Sequence, residues 1–256
     1  MQPLISCNHV HYSYHTLQGE TPALNDIHFQ VNEGEFVSIV GPSGCGKSTL
    51  LSLLCGLNEP ESGTICFKGK PIGQQNRCRI GYMLQHDHLF EWRSVWKNIL
   101  LGLEIQKKVT EDAILEAEHL LKLYGLYPFK NARPSQLSGG MRQRAALIRT
   151  LLLHPDLLLL DEPFSALDYQ TRLKVSDDIG GIIRNSGKTA ILVTHDLSEA
   201  VSLGDRAIVL TPLPAGIQKT IPIDFAKELS PLERRNTNVF KDYFNQIWKE
   251  LNPHEP

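Results

Sequence analysis

The 256-residue sequence predicts an α/β fold: a core of parallel strands and helices, an antiparallel β layer ahead of it, and a helical subdomain inserted within it. Three observations carry this reading. Short, largely apolar runs recur at 35–40, 157–160, 189–194 and 206–210, the pattern of strands buried on both faces. Before residue 35, apolar and polar residues alternate, as in strands with one solvated face. Between residues 86 and 136 the strand signal stops and helical spacing takes over.

Taken in order, residues 4–7, 10–14 and 27–31 read as the strands of the antiparallel layer, with Gly19 and Pro22 marking the connection between the last two. Residues 35–40 form a strand that runs into a glycine-rich loop, and residues 50–54 read as the helix leaving it. Residues 59–63 make a turn, 63–69 a strand, and 79–84 a strand leading to Gln85. Helices are expected at 95–103 and 111–124, the second with Ile114, Leu115, Ala117, Leu120, Leu121 and Leu123 at helical spacing. Ser138 is an N-cap for a helix over 141–153, which ends before Pro155. A buried strand at 157–160 precedes a helix over 168–184, whose end Gly180-Gly181 weakens. Strands at 189–194 and 206–210 flank a helix at 197–203. Near the C-terminus Val239, Phe240, Tyr243, Phe244, Ile247, Trp248 and Leu251 share one helical face, expected to pack on its own domain. The expected division is one domain over 1–256: an α/β core with its β layer (1–85 and 137–215), a helical subdomain (86–136) and a C-terminal extension (216–256).

Composition narrows the function classes. A net charge of -2 supplies no global basic field, so no nucleic-acid partner is expected. The five cysteines, Cys7, Cys45, Cys55, Cys66 and Cys78, are odd in number and include no C-x-x-C pair. That argues against a disulfide framework or a structural zinc site and fits a reducing cytosol. The N-terminal residues lack the basic start and apolar core of a signal peptide. No apolar run approaches the ~20 residues of a membrane span, so work at a membrane would require other chains to cross it.

The chemistry is concentrated in three stretches. Gly41-Pro42-Ser43-Gly44-Cys45-Gly46-Lys47-Ser48-Thr49 fits G-x-x-x-x-G-K-[ST], the P-loop of nucleotide-binding folds. Its glycines let successive N–H groups turn toward an anion, and the helix beginning near Ser48 adds the positive end of its dipole. Lys47 can reach β- and γ-phosphates, and the Ser48 hydroxyl can ligate Mg²⁺. Asp161 and Glu162 follow the apolar run 157–160, at the strand end where parallel sheets bind ligands. Asp161 suits the Mg²⁺ shell, and Glu162 suits orienting or deprotonating a water for in-line attack on a γ-phosphate. Ser138-Gly139-Gly140 opens a helix and combines a hydroxyl, two glycines and N–H groups, a second anion-binding element. One nucleotide rarely needs two such ends from one chain, so the second is expected to serve the nucleotide of a partner copy. His86-Asp87-His88 offers no spacing that completes a metal site. Cys45 fits a tight turn, and Arg142 and Arg144 read as structural or interface charges.

Together the P-loop, residues 137–144, residues 157–162 and Ser165-Ala166-Leu167-Asp168 resemble the ATP-binding subunit of ABC transporters, over nearly the whole chain to about residue 215. The resemblance implies a P-loop NTPase core of the ABC ATPase fold and an ATP hydrolase using ATP and Mg²⁺. It also implies roles for three further positions. Gln85 is similar to the Q-loop glutamine, which touches Mg²⁺ and water and senses the membrane subunit. His195 is similar to the switch histidine that contacts the γ-phosphate. Tyr14 is similar to the aromatic that stacks on adenine, with Tyr12 on the same strand face as its rival. Residues 88–104 and 195–206 resemble the importer subfamily for nitrate, sulfonates, taurine and pyrimidine precursors of thiamine. In that subfamily a proline usually precedes the tryptophan, and here Glu91 precedes Trp92. The partners implied are a second copy in head-to-tail, ATP-dependent contact, polytopic permease subunits and an extracytoplasmic solute-binding protein. The location implied is the cytoplasmic face of the cell membrane. Exporter or lipoprotein-release subunits and soluble ABC ATPases share these motifs. A DNA-acting ABC ATPase would carry a long coiled-coil insertion, for which 85–137 has no room.

Overall fold

Parallel pairing of strands buried on both faces organises the chain. The computed structural model describes residues 2–17, 19–73, 79–226 and 228–252, so Cys78 lies outside the described residues. Six strands form the central sheet in the order β10-β9-β3-β8-β7-β6. They are β3 (Phe36–Val40), β6 (Ile80–Met83), β7 (Leu157–Asp161), β8 (Thr189–Val193), β9 (Arg206–Leu210) and β10 (Ile217–Pro222). All pairs are parallel except β9 with β10. Leu157 and Leu159 point into one apolar cluster and Leu158 and Leu160 into another, so β7 is buried on both sides.

The antiparallel layer has the order β2-β1-β4-β5. The three strands expected before residue 35 are two long ones, β1 (Ile5–Thr16) and β2 (Gly19–Val31). Residues 4–7 and 10–14 belong to one strand because bulges near Cys7, Val10 and Tyr12 absorb the break in alternation. Pro22 sits inside β2, opposite Ser13, not in the connection. β4 (Ser62–Phe67) and β5 (Lys70–Pro71) complete the layer. It packs with α1 (Lys47–Leu54) on one face of the central sheet, burying Ile5, Val10, Ile27, Leu50 and Leu54 together with Val37, Ile39 and Ile208.

Helices α2 (Val95–Ile105) and α3 (Glu111–Leu123) build the segment between β6 and β7. Ser94 and Thr110 cap them by accepting from Lys97 N–H and Ala113 N–H. Of the α3 residues at helical spacing, Ala117 and Leu121 are buried, while Leu115 and Leu123 are exposed. α4 (Gly139–Leu151) joins this segment to the sheet. Ala145 and Ile148 belong to the helical cluster, and Ala146, Leu147 and Leu151 to the sheet cluster.

α5 (Tyr169–Asn185) continues through Gly180-Gly181, which does not weaken its end. A Cβ on Gly180 would stand 2.3 Å from Leu203 Cδ2 on α6 (Leu197–Leu203), so the glycine lets the two helices approach. The extension adds β10 and two helices, α7 (Pro231–Arg235) and α8 (Asn238–Leu251). Phe240 and Ile247 of α8 are buried with Val201 and Val209, so α8 packs on its own domain, leaving Val239 and Trp248 exposed.

The two glycines should respond in opposite directions. Gly180→Ala must displace the buried Leu203 and should destabilise by about 1–3 kcal/mol. Gly181 has open space around it: apart from its chain neighbours and its own helix backbone, no heavy atom lies within 4 Å of where a Cβ would stand. As alanine it should gain roughly 1 kcal/mol of helix propensity. Urea unfolding of both variants measures the difference.

Candidate active site

Four neighbouring strand ends meet at one edge of the sheet. After β3 the chain enters the loop at Gly41, after β7 it reaches Glu162, after β8 His195, and after β6 Gln85. The cleft between them is lined by Ser43, Gly44, Gly46, Lys47, Ser48, Thr49, Gln85, Asp161 and Glu162. Gly44 and Gly46 take φ of 76° and 110°, a region costly for side chains with a Cβ. Gly41 stays close to Cys45: a Cβ there would meet Cys45 Sγ at 2.9 Å. Burial pushes the Cys45 thiol up, and the nearby Lys47 ammonium only partly offsets this.

Lys47 is buried, and its ammonium donates to the carbonyls of Gly41 and Pro42, at 2.8 Å each. Ser48 Oγ donates to Asp161 Oδ1 at 3.1 Å, and Tyr82 OH donates to Asp161 Oδ2 at 3.1 Å. Burial raises the Asp161 carboxyl above its ordinary range, partly countered by these two hydroxyls. Glu162 turns the chain with φ of 44°, an uncommon region for a residue with a side chain. Its N–H donates to Val193 O at 2.9 Å, and its carbonyl accepts from Ser165 Oγ at 3.0 Å. His195 Nδ1 lies 3.0 Å from Glu162 Oε2. Gln85 Nε2 donates to Ser165 Oγ at 3.3 Å. Tyr14, 44% exposed, reaches over to Thr49 with its hydroxyl 2.9 Å from Thr49 Oγ1. Tyr12 instead packs its ring against the apolar core, edge-on to Tyr14. The structure thus joins Tyr14 to the start of the loop's helix through Thr49.

Ser138-Gly139-Gly140 stands apart from this group, and none of the three lines the cleft. Ser138 Oγ caps α4 by accepting from Met141 N–H at 3.4 Å. Gly140 admits no side chain, since a Cβ would meet Val175 Cγ2 at 2.6 Å. Arg142 donates to Asp87 through Nε (2.8 Å) and Nη2 (3.2 Å), and Nη1 lies 2.8 Å from Glu91 Oε1. Arg149 donates to the carbonyls of Asp87 and His88. Asp87 is therefore held by arginine, and the Glu91 at the usual proline position gains a partner on α4. Asn98, fully buried, hydrogen-bonds both the N–H and the carbonyl of Phe90. This sets Phe90 and Trp92 stacked at 4.7 Å on the surface, with Trp92 74% exposed. Arg144 pairs with Asp178.

Two groups escaped the reading of the sequence. Tyr82 counted only as a strand residue; its place beside Leu159 in the parallel register of β6 with β7 brings its hydroxyl to Asp161. Thr194 and Glu199 brace the His195 loop: Thr194 Oγ1 donates to Glu199 Oε2 at 2.7 Å and accepts from Asp196 N–H at 3.0 Å. Burial pushes the Glu199 carboxyl up to about 7.

A P-loop protein with carboxylates and a histidine gathered at the ends of parallel strands is what the fold and cleft define. A family model described as ABC transporter matches residues 24–165, and the chain belongs to that family, among its ATP-binding proteins. It is 46% identical to the uncharacterized ABC transporter ATP-binding protein YtlC of Bacillus subtilis, over 96% of this chain and 94% of that one. The taurine import ATP-binding protein TauB of Pelagibacter ubique is 42% identical over 88% of this chain and 85% of that one. The aliphatic sulfonates import ATP-binding protein SsuB of Bacillus cereus is 38% identical over 96% and 95%. Among solved structures, a dimeric post-hydrolysis ATP-binding cassette bound to ADP and Pi matches with a TM-score of 0.73 and 30% identity, over 87% of this chain and all of that one.

Glu199 yields a pH test. In the folded chain it keeps its proton up to about 7; in the unfolded chain it loses it near the ordinary value of 4.5. Between these values the folded state binds the extra proton, so this group's contribution to stability falls as pH rises. Glu199→Gln should remove that fall. Its stability relative to the parent should climb from pH 5 to pH 7 by at most about 1.4 kcal/mol per unit, read from denaturant unfolding at each pH.

Proposed function

We propose that this chain is the ATP-binding and hydrolysing subunit of an ABC importer for a small solute such as nitrate, a sulfonate, taurine or a pyrimidine precursor of thiamine. The observation that carries it is the division of the two anion-binding elements: one cleft holds Lys47, Ser48, Gln85, Asp161 and Glu162, and Ser138-Gly139-Gly140 lies outside it. Two copies placed head to tail would close each cleft with the other copy's Ser138-Gly139-Gly140. The dimeric cassette among the structural relatives supports that arrangement, and the relatives named for taurine and sulfonate import support the direction of transport.

In this reading Lys47 and the loop N–H groups hold the β- and γ-phosphates of ATP, and Tyr14 stacks on the adenine. Ser48, Asp161 and Gln85 offer hard oxygen ligands, the set Mg²⁺ prefers, and a cation there suits a buried Asp161. Bound Mg²⁺ would neutralise charge on the phosphate oxygens. Glu162 orients or deprotonates the attacking water, and His195 holds its carboxylate in place beside the γ-phosphate. Contacts made only in the closed pair bias the equilibrium toward closure, and hydrolysis removes them.

Among the described residues no helix is long and apolar enough to cross a membrane. The crossing falls to separate permease subunits, with this chain at the cytoplasmic face and an extracytoplasmic protein delivering the solute. Phe90 and Trp92, exposed and propped by Asn98, provide an apolar surface in the segment 86–104 for a permease helix. Asp87 and Glu91 tie that surface through Arg142 to the helix that begins at Gly139.

Glu162→Gln should keep ATP binding, lower turnover by about 10²–10⁴-fold and accumulate an ATP-bound dimer by gel filtration; normal turnover would remove the general-base role. Ser138→Arg should leave nucleotide binding by the isolated chain intact while abolishing turnover. Collapse of binding by the monomer would show that Ser138 serves its own cleft.

A further inference from the structure

One carboxylate of the cleft is held from two sides, and only one of the holds comes from the P-loop. Asp161 is 7% exposed, and it accepts from Ser48 Oγ through Oδ1 and from Tyr82 OH through Oδ2, at 3.1 Å each. The torsion that turns an aspartate carboxylate is soft and roughly two-fold, so the backbone alone fixes neither oxygen. A hydroxyl on each oxygen fixes both. An ionised carboxylate offers about four lone-pair sites, and two neutral donors leave the rest, with the full negative charge, for a cation. Lys47 donates instead to the carbonyls of Gly41 and Pro42. Tyr82 stands on β6, the last strand in the sheet order, and its Cα pairs with Leu159 of β7. Asp161 lies two residues further along β7 on the same face, about 6.6 Å on at the rise of a parallel strand. The Tyr82 ring packs, with Ile80, on the apolar cluster that holds Leu157 and Leu159. It leans along the strand, as side chains in sheets do, so the hydroxyl reaches Asp161 while the ring stays on the core. Tyr82 itself does not line the cleft.

We propose that Tyr82 is a positioning residue for the cation-binding carboxylate: its hydroxyl pins Asp161 Oδ2 to β6 and leaves Oδ1, beside Ser48, to face the Mg²⁺ that accompanies ATP. This rests on the reading of Ser48, Asp161 and Gln85 as Mg²⁺ ligands given above. Ser48 cannot hold the carboxylate by itself. In that reading its oxygen answers to the ion as well as to Asp161, whereas Tyr82 stands behind the carboxylate and its hold does not depend on the ion. Without the phenol, a nearly buried carboxylate oxygen loses its donor and the group is free to turn about Cβ–Cγ. Groups that orient a metal's ligands typically matter about 10–100-fold in metal affinity. The same hydrogen bond steadies the end of β6, and Gln85, the third residue after Tyr82, follows from that end. The phosphate cradle has its own supports: Lys47 on two loop carbonyls, and the glycine turns at Gly44 and Gly46. Nucleotide binding without metal therefore does not depend on Tyr82.

The test removes the hydroxyl and keeps the ring. Mn²⁺ stands in for Mg²⁺, and its binding to the ATP-loaded full chain carrying Glu162→Gln is followed by electron paramagnetic resonance, which needs no turnover. In that background Tyr82→Phe should raise the Mn²⁺ concentration at half-saturation about tenfold, while ATP affinity in EDTA stays within about twofold of the parent. With Glu162 intact, the Mg²⁺ needed for half-maximal turnover should rise by about the same factor, and excess Mg²⁺ should bring kcat back to within about threefold. Asp161→Asn should weaken Mn²⁺ binding by itself, and Tyr82→Phe added to it should cost less than about twofold more, because both act through one carboxylate. Parental Mn²⁺ binding in Tyr82→Phe, an equal loss of ATP affinity in EDTA, a kcat loss that excess Mg²⁺ leaves in place, or a full additive loss on top of Asp161→Asn overturns the proposal. Should Tyr82→Phe fail to fold, Tyr82→Leu, which also lacks the hydroxyl, takes its place with the same expected and overturning results. Parental Mn²⁺ binding in Asp161→Asn would sink the reading of the site itself. An impaired Asp161→Asn beside a normal Tyr82→Phe would sink only this inference.

Discussion

The parallel pairing of β3, β8 and β7 is the constraint on which the rest depends. Ser38 and Leu160 both pair with Leu192, so the three strands run level and end at one edge. Each must be apolar on both faces, because α1 and the antiparallel layer cover one side and α4 and α5 the other. Polar chemistry is therefore expelled to the strand ends, where chain direction changes and backbone N–H groups are free to meet a ligand. The buried Lys47 and Asp161 and the part-buried Glu162 stand there. They are tolerated because each has partners: two loop carbonyls for Lys47, two hydroxyls for Asp161, and an imidazole for Glu162.

A second dependence runs through α4. Its sides belong to different apolar clusters, one against the sheet and one against α2 and α3. Its N-terminus presents Ser138-Gly139-Gly140, and Arg142 and Arg149 clamp the segment that follows Gln85. A displacement of the Phe90–Trp92 surface would be transmitted by ion pairs and packed side chains rather than by a flexible linker. The extension forms a third dependence. α7 and α8 cover α6, which follows the His195 loop, so residues far from the P-loop in sequence share its support.

Much of the fold was legible because local patterns agreed with the global structure. The runs at 157–160, 189–194 and 206–210 are buried strands, and Ser138 is an N-cap, as their residue types require. The misreadings have physical causes. Bulges in β1 break the period-two signal, so one strand looked like two. Gly180 looked like a helix weakness because its purpose is contact with Leu203, which adjoins it only in space. β10 and α7 had no strong periodicity; antiparallel pairing with β9 and anchoring by Arg234 hold them.

Local pattern was enough for the P-loop, the carboxylates after the buried strand and the change from strand to helical spacing between β6 and β7. Those features are short in range: a glycine spacing, a contiguous apolar run or a helical period is complete within a few residues. Three-dimensional pairing was needed to bring the Tyr14 hydroxyl to Thr49, to share Asp161 between Tyr82 and Ser48, and to give Glu91 its partner Arg142. The same holds for the seating of Arg235 of α7 on Ser176 of α5. The reason is the same in each case. A hydrogen bond or a buried charge is settled by which side chain arrives across tens of residues, and strand order and register, not local propensity, determine that arrival.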